Sequence, residues 1–463
     1  MIGAVDPDGV PTAGRPRALH GGAPGRALAR QLRRPAARVL VGSLLGQGLV
    51  LAASPLITRL YSPGDLGALA VVTALATIVG AVAPTGWDRA VAVPRGETAA
   101  RLLVVLAVSS VLVVGVLATL ASWAWRHDLA RLTGTPALVA LWWAVPLTIV
   151  VVALQRVATA WLARRRDYGA LARRSVLQGV GQLACTLGLA PLGGPAGLVL
   201  SVAAGRAASL LGSSGSTGST GSTASRRPPA GVRSRRPPSR RLAGAVARRF
   251  RRFPLVATWS GLLNVAGQQA PLLLLAALHG SAALGALALT MRVLGAPVGM
   301  VADAVGLQVE GQLGALARAR RGGLAAGLRR TLLPLAALGA VALVGTVVLA
   351  PSVFPVVFGA EWAGAGVAAA MLAPAFATQV VVSPLSRLLP LLEQQGTQLV
   401  WDASRMVATV GAIVVGSLLS PADPMASVVA WSAASVVSYL VLLALVVRAV
   451  RRADASVAGR LGA

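Results

Sequence analysis

The sequence contains no lysine, one cysteine and three histidines among 463 residues, and aromatics make up only 4%. A lone cysteine, Cys185, excludes a disulfide within the chain. His20, His127 and His279 are scattered, so no metal-ligand spacing arises and no metal is expected. No Gly-rich phosphate loop ending in Lys-Ser or Lys-Thr exists, which excludes an ATP-binding cassette of that type within the chain. No Ser/His/Asp set stands out either, so neither an enzyme nor a cofactor is expected. Charge is scarce overall, at 12% of residues, against about 25% in a soluble globular protein.

Apolar residues fill that gap. They make up 56% of the chain, with a mean hydropathy of +0.73. Because aromatics are few, the apolar mass is Ala, Val and Leu. Runs of about 20 such residues recur along the chain, each long enough to cross a bilayer as a helix. The strands of a membrane barrel alternate over about ten residues instead. The pattern predicts an all-α integral membrane protein of about twelve spans: 36–57, 66–86, 101–123, 136–162, 175–190, 195–211, 254–278, 281–305, 329–354, 364–390, 399–420 and 425–449.

The net charge of +29 is carried entirely by arginine. In a soluble protein it would point to nucleic acid. In a membrane protein it is the expected surplus on cytoplasmic loops, and no nucleic-acid partner is expected. With the N-terminus inside, the inner connections hold Arg95, Arg101, Arg164–Arg166, Arg173, Arg174, Arg318, Arg320, Arg321, Arg329 and Arg330. The outer ones hold only Arg59, Arg126 and Arg131, with Asp65, Asp128, Glu361 and Asp423. Both termini are therefore expected in the cytoplasm.

Residues 1–35 read as a disordered basic cytoplasmic tail, and 450–463 as a second tail. Residues 212–253 begin "GSSGSTGSTGSTAS" and continue into a Pro/Arg-rich stretch, with eleven arginines and no acid in all. This stretch reads as a cytoplasmic linker, with arginines near the anionic leaflet. It separates a six-span bundle, 36–211, from another, 254–449. "LGALA" at 66–70 recurs at 284–288, opening the second helix of each half. Each copy follows a helix interrupted by polar residues and a proline: Ser43, Gln47, Ser54 and Pro55, or Ser260, Asn264, Gln268 and Pro271. Such paired, interrupted helices point to a transport site.

Ionisable residues at membrane depth are costly and mark function. Arg292 lies about 16 Å along its helix from the outer end, near the midplane. It begins a stripe with Ala296, Gly299, Asp303, Gly306 and Glu310 at helical spacing. Close packing accounts for the glycines but not for the arginine. Arg292 and Arg156 are expected to face a cavity, with Gln47, Asn264 and Gln268 as amide contacts. The amides of Asn264 and Gln268 serve equally as packing glue. Asp88 with Arg89, Asp303, Arg387, and Asp402 with Arg405 read as gating or ion-pair positions. A cationic cavity suits a phosphate or diphosphate, which arginine binds through paired hydrogen bonds.

Several segments resemble the O-antigen-type polysaccharide flippases of the multidrug/oligosaccharidyl-lipid/polysaccharide exporter superfamily. They are "PLITRLYSPGDLGALAVV", "WDRAVAVP", "LTMRVLGAPVGMVADAVGLQVEG", "VFPVVFGAEWAGAG" and "LAPAFATQVVVSPLSRLLPLLEQQ". The resemblance covers about residues 40–415. Asp88 and Pro94 match the family's pattern, whereas the basic residue it carries two before the acid is Gly86 here. The resemblance implies two six-helix bundles in the fold shared by that superfamily and its multidrug exporters. It implies a bacterial plasma-membrane flippase that carries a polyprenyl-diphosphate-linked oligosaccharide to the outer leaflet by alternating access. H+ or Na+ is the expected coupling ion. Membrane lipids, and glycosyltransferases or a polymerase of the same pathway, are the expected neighbours. Two other readings compete: a drug/cation antiporter of the same superfamily, and a non-transporting scaffold for glycan-assembly enzymes.

Overall fold

The computed structural model describes residues 35–214, 240–251, 253–254, 258–318, 322–392 and 394–461. The expected N-terminal tail and the central Gly/Ser/Thr tract lie outside these residues. Among the described residues all regular structure is helical. The first half holds α1 (Pro35–Ala52), α2 (Ser54–Leu60), α3 (Pro63–Val82), α4 (Trp87–Ala90), α5 (Glu97–Ala124), α6 (Arg126–Leu132), α7 (Ala144–Arg165), α8 (Tyr168–Gly188) and α9 (Gly194–Ser214). The second half follows α10 (Arg240–Arg249). It holds α11 (Thr258–Thr290), α12 (Ala296–Arg318), α13 (Leu324–Phe358), α14 (Ala363–Val382), α15 (Leu388–Leu391), α16 (Gln395–Leu419) and α17 (Pro424–Leu461).

The sequence explains the breaks. Pro55 lacks the amide hydrogen a continuous helix needs, and the chain kinks between α1 and α2. At α3, Ser62 and Asp65 form a reciprocal capping box with Pro63 in the first turn, a strong helix start. Arg166 turns left-handed after α7, and the Asp167 carboxylate then accepts from the Ala170 amide at 2.9 Å to open α8. Gly280, at φ +82°, breaks α11 into two arms. The second arm runs through a π-helical turn, Met291–Gly295, into α12.

Ten segments among the described residues are long and apolar enough to cross a membrane. The expected count of twelve differs for two physical reasons. One segment, 261–314, contains the Gly280 break and so covers two expected spans. Helix α8 has a suitable length but carries Arg173, Arg174, Gln178 and Gln182, which lower its hydropathy. The expected linker is not uniform either. Within it, α10 buries Val246 against Ala90, Val91, Leu102 and Leu103 of the first half. Rows of exposed Val and Leu on α5, α13 and α16 are faces that suit lipid rather than water.

The two ends of the bundle differ. At the arginine-poor end, one apolar core runs through both halves, joining Ile57, Leu66 and Leu138 to Leu284, Phe354 and Trp362. At the arginine-rich end the cores are separate: one around Leu102 and Leu103, another around Leu313, Leu385, Leu388 and Val446. The halves are thus sealed together at one end and distinct at the other.

The seal is built on glycine. A Cβ on Gly67 would collide with the Ser281 carbonyl, and a Cβ on Gly285 would collide with the Pro63 carbonyl. Gly67 and Gly285 are the second residues of the two "LGALA" copies. The contact is therefore reciprocal, as a pseudo-two-fold axis between the halves requires. Around it, the Ser281 amide donates to the Gly134 carbonyl at 3.3 Å. The buried Trp362 indole donates to the Thr58 carbonyl at 3.1 Å.

Candidate functional site

A cavity of about 260 Å³ lies where the halves separate, just below the roughly 300–1,000 Å³ of typical small-ligand sites. Helix α1 contributes Ser43, Gly46 and Gln47. Helix α8 contributes Ser175, Gln178, Gly179 and Gln182. From the second half, the π-helical turn contributes Arg292 and the start of α12 contributes Ala296. No carboxylate lines it.

Glycine again sets the geometry. A Cβ on Gly42 would lie 2.6 Å from the Ala172 backbone. One on Gly46 would strike the Ser175 carbonyl, and one on Gly179 the Gly46 carbonyl. Helices α1 and α8 therefore touch backbone to backbone, and their polar side chains emerge together along one flank. Ser43 Oγ and Ser175 Oγ are 3.5 Å apart. The π turn supplies the opposite wall. One extra residue in a helical turn reorients the side chains beyond it, which is why such turns recur at functional sites. The site thus offers one permanent cation, three amides and two hydroxyls, a donor-rich set suited to phosphoryl and sugar oxygens.

The other expected positions lie elsewhere. Arg156 reaches Asp88, Nη2 to Oδ2 at 3.6 Å, and is not on the cavity wall. Arg89 packs its guanidinium on the bare face of Gly261. The stripe that begins at Arg292 divides. Arg292 and Ala296 line the cavity, while Asp303 and Glu310 hold Arg387 at 2.7 and 3.2 Å. The Arg387 side chain lies across Gly306, which a larger residue would block. Asp402 and Arg405 approach to 4.0 Å, and Arg405 stacks over the Trp401 ring at 5.2 Å. Gln268 is exposed on α11 and does not line the cavity. The Asn264 side chain lies outside the described residues. Among the described residues no group of three or more His, Cys, Asp or Glu could hold a metal.

Sequence reasoning missed Ser175, Gln178 and Gln182. Their 3-4 spacing is the same one-face signal that marks Ser260, Asn264 and Gln268. It sits on the span whose charges made it the weakest of the twelve.

Two bundles about a pseudo-two-fold axis, with a polar cavity between them, define the architecture of a membrane transporter. The fold overlays an inward-facing multidrug resistance MATE family transporter of the MOP superfamily with a TM-score of 0.65 at 15% identity, covering 91% of this chain and 99% of that one. It overlays the lipid II flippase MurJ, inward closed, at 0.66 with 11% identity and 90% of each chain covered. An outward-facing MATE transporter overlays less closely, at 0.53 with 12% identity over 91% of this chain and 96% of that one. No curated protein matches the chain in sequence. Residues 56–366 match the model of a family described as polysaccharide biosynthesis protein. The chain belongs to that polysaccharide biosynthesis family and has the fold of the MOP superfamily.

Proposed function

We propose that the protein is a flippase for a polyprenyl-diphosphate-linked oligosaccharide, working by alternating access in the bacterial plasma membrane. The observation that carries this reading is Arg292. It stands on the wall of an amide-lined cavity between two halves that are sealed at the opposite, arginine-poor end. The surplus of arginine assigns the open end to the cytoplasm, so the cavity faces the leaflet where the cargo is assembled. The diphosphate meets Arg292, and Gln47, Gln178 and Gln182 hydrogen-bond the remaining oxygens. Membership of a polysaccharide biosynthesis family supports a glycan cargo. The likeness to a lipid II flippase supports a lipid-linked one. An H+ or Na+ gradient drives the return.

The antiporter reading asks for carboxylates to attract a cationic drug, and this cavity has none. The test is Arg292→Ala in a strain that depends on the gene. Surface glycan should fall at least tenfold while the protein stays at its normal level in the membrane. Normal glycan export at normal protein level would sink the assignment.

A further inference from the structure

Behind the cavity wall, the first half buries two more guanidinium groups. Arg174 on α8 is 6% exposed, and Arg206 on α9 is half-buried. They meet at one residue of α7. Arg174 donates to the Gln155 carbonyl at 3.2 Å and to Thr159 Oγ1 at 2.7 Å. Arg206 donates to Gln155 Oε1 at 3.4 Å. The Gln155 amide then donates to Ser209 Oγ at 3.3 Å and to Gln178 Oε1.

This network lacks a negative charge. Every ion pair among the described residues uses other arginines. Asp88 is engaged by Arg156, the next residue along α7. Arginine cannot shed its proton to escape burial, and an uncompensated buried charge is strongly unfavourable. The Nε atoms of both Arg174 and Arg206 are buried and have no partner. Two unused donors beside two unneutralised charges are what an anion would satisfy.

The space favours a small one. A Cβ on Gly205 would lie 2.6 Å from the Gln182 side chain, and one on Gly181 would lie 2.9 Å from Ala208. Helices α8 and α9 are therefore pressed together over these residues, too closely for an organic group between them. We propose that Arg174 and Arg206 hold a small inorganic anion of halide size among α7, α8 and α9. The ion neutralises the pair and fixes Gln155, whose amide in turn holds Gln178 on the cavity wall. The site stands whether or not the cavity carries the proposed cargo.

The test uses the purified full chain in lipid nanodiscs, melted in sodium chloride, sodium bromide or sodium gluconate at one ionic strength. Halide should raise Tm in a saturable way. Arg206→Gln should weaken the half-saturating concentration at least tenfold. Arg174→Lys, which keeps the charge, should retain the response. Arg292→Ala should also retain it, since that residue belongs to the cavity. Equal melting in halide and gluconate, or an unchanged response in Arg206→Gln, would overturn the proposal. Loss of the response in Arg292→Ala would place the ion in the cavity and overturn it as well. If Arg206→Gln does not fold, anomalous scattering from bromide in crystals of the unaltered protein decides. A peak at the two guanidiniums supports the site, and an absence there removes it.

Discussion

Arg292 is a permanent charge in a run of Leu, Ala and Val, and that isolation made it legible in the sequence. A lone cation at mid-depth has few structural uses, so it points to a cavity. Arg156 carries the same signal but lies against Asp88, 3.6 Å away on another helix. Sequence alone could not separate the two, because the difference is a tertiary partner. Gly86 shows the reverse case. It stands where the resembling family carries a basic residue, and it adopts φ +71° with the Phe253 carbonyl 2.8 Å from where a Cβ would be. A basic side chain there would be strained and crowded. Arg387 is legible only in part: its four-residue spacing from Ser383 is visible, but its acids lie on α12. Its pair with Asp303 is largely solvated on the acid side, 65% exposed. A double-mutant cycle of Arg387→Ala and Asp303→Ala, read by thermal or denaturant unfolding, should give a coupling of about 1 kcal/mol or less. A coupling several times larger would mean that the pair is effectively desolvated.

At the scale of elements, hydropathy located most spans and lost the one that mattered for the cavity. Helix α8 was weak as a span because it supplies Ser175, Gln178 and Gln182 to the site and buries Arg174 behind it. The polarity that makes an element functional also erases its membrane signature. The π turn at Met291–Gly295 and the break at Gly280 left no periodic trace. The "LGALA" repeat was visible, yet its letters were weak evidence, since they occur again at 313–317. Its meaning is the reciprocal contact of Gly67 with Ser281 and Gly285 with Pro63. A Cβ at either glycine should loosen the sealed end. With Cys185 replaced by serine, Thr58→Cys is the reporter, because Thr58 is buried in that seal. An impermeant thiol reagent should label it slowly in the parent and several-fold faster after Gly285→Val. Gly67→Val should act in the same direction, because the contact is symmetric. Unchanged labelling in both would remove the seal assignment.

At the scale of the whole molecule, composition sufficed for an all-helical membrane protein, and the arginine distribution distinguished its two ends. What composition could not show is that the apolar core is shared at one end and divided at the other. That asymmetry accords with closer overlay on the inward-facing relatives than on the outward-facing one. It follows from which helices touch, and not from how apolar each is. The central Gly/Ser/Thr- and Arg-rich stretch contributes nothing to that core. Deleting residues 215–239, while sparing α10, should leave glycan export within about twofold of the parent. A scaffold that recruits enzymes through this stretch would lose export instead. The most direct measurement concerns the cavity itself: binding of a glycan-free polyprenyl diphosphate to the purified protein, with and without Arg292→Ala. Removing a charged hydrogen-bond partner is worth about 1.5–3 kcal/mol, so the variant should bind roughly 10- to 100-fold more weakly. Equal affinity in the two proteins would contradict the assignment of this cavity to the diphosphate.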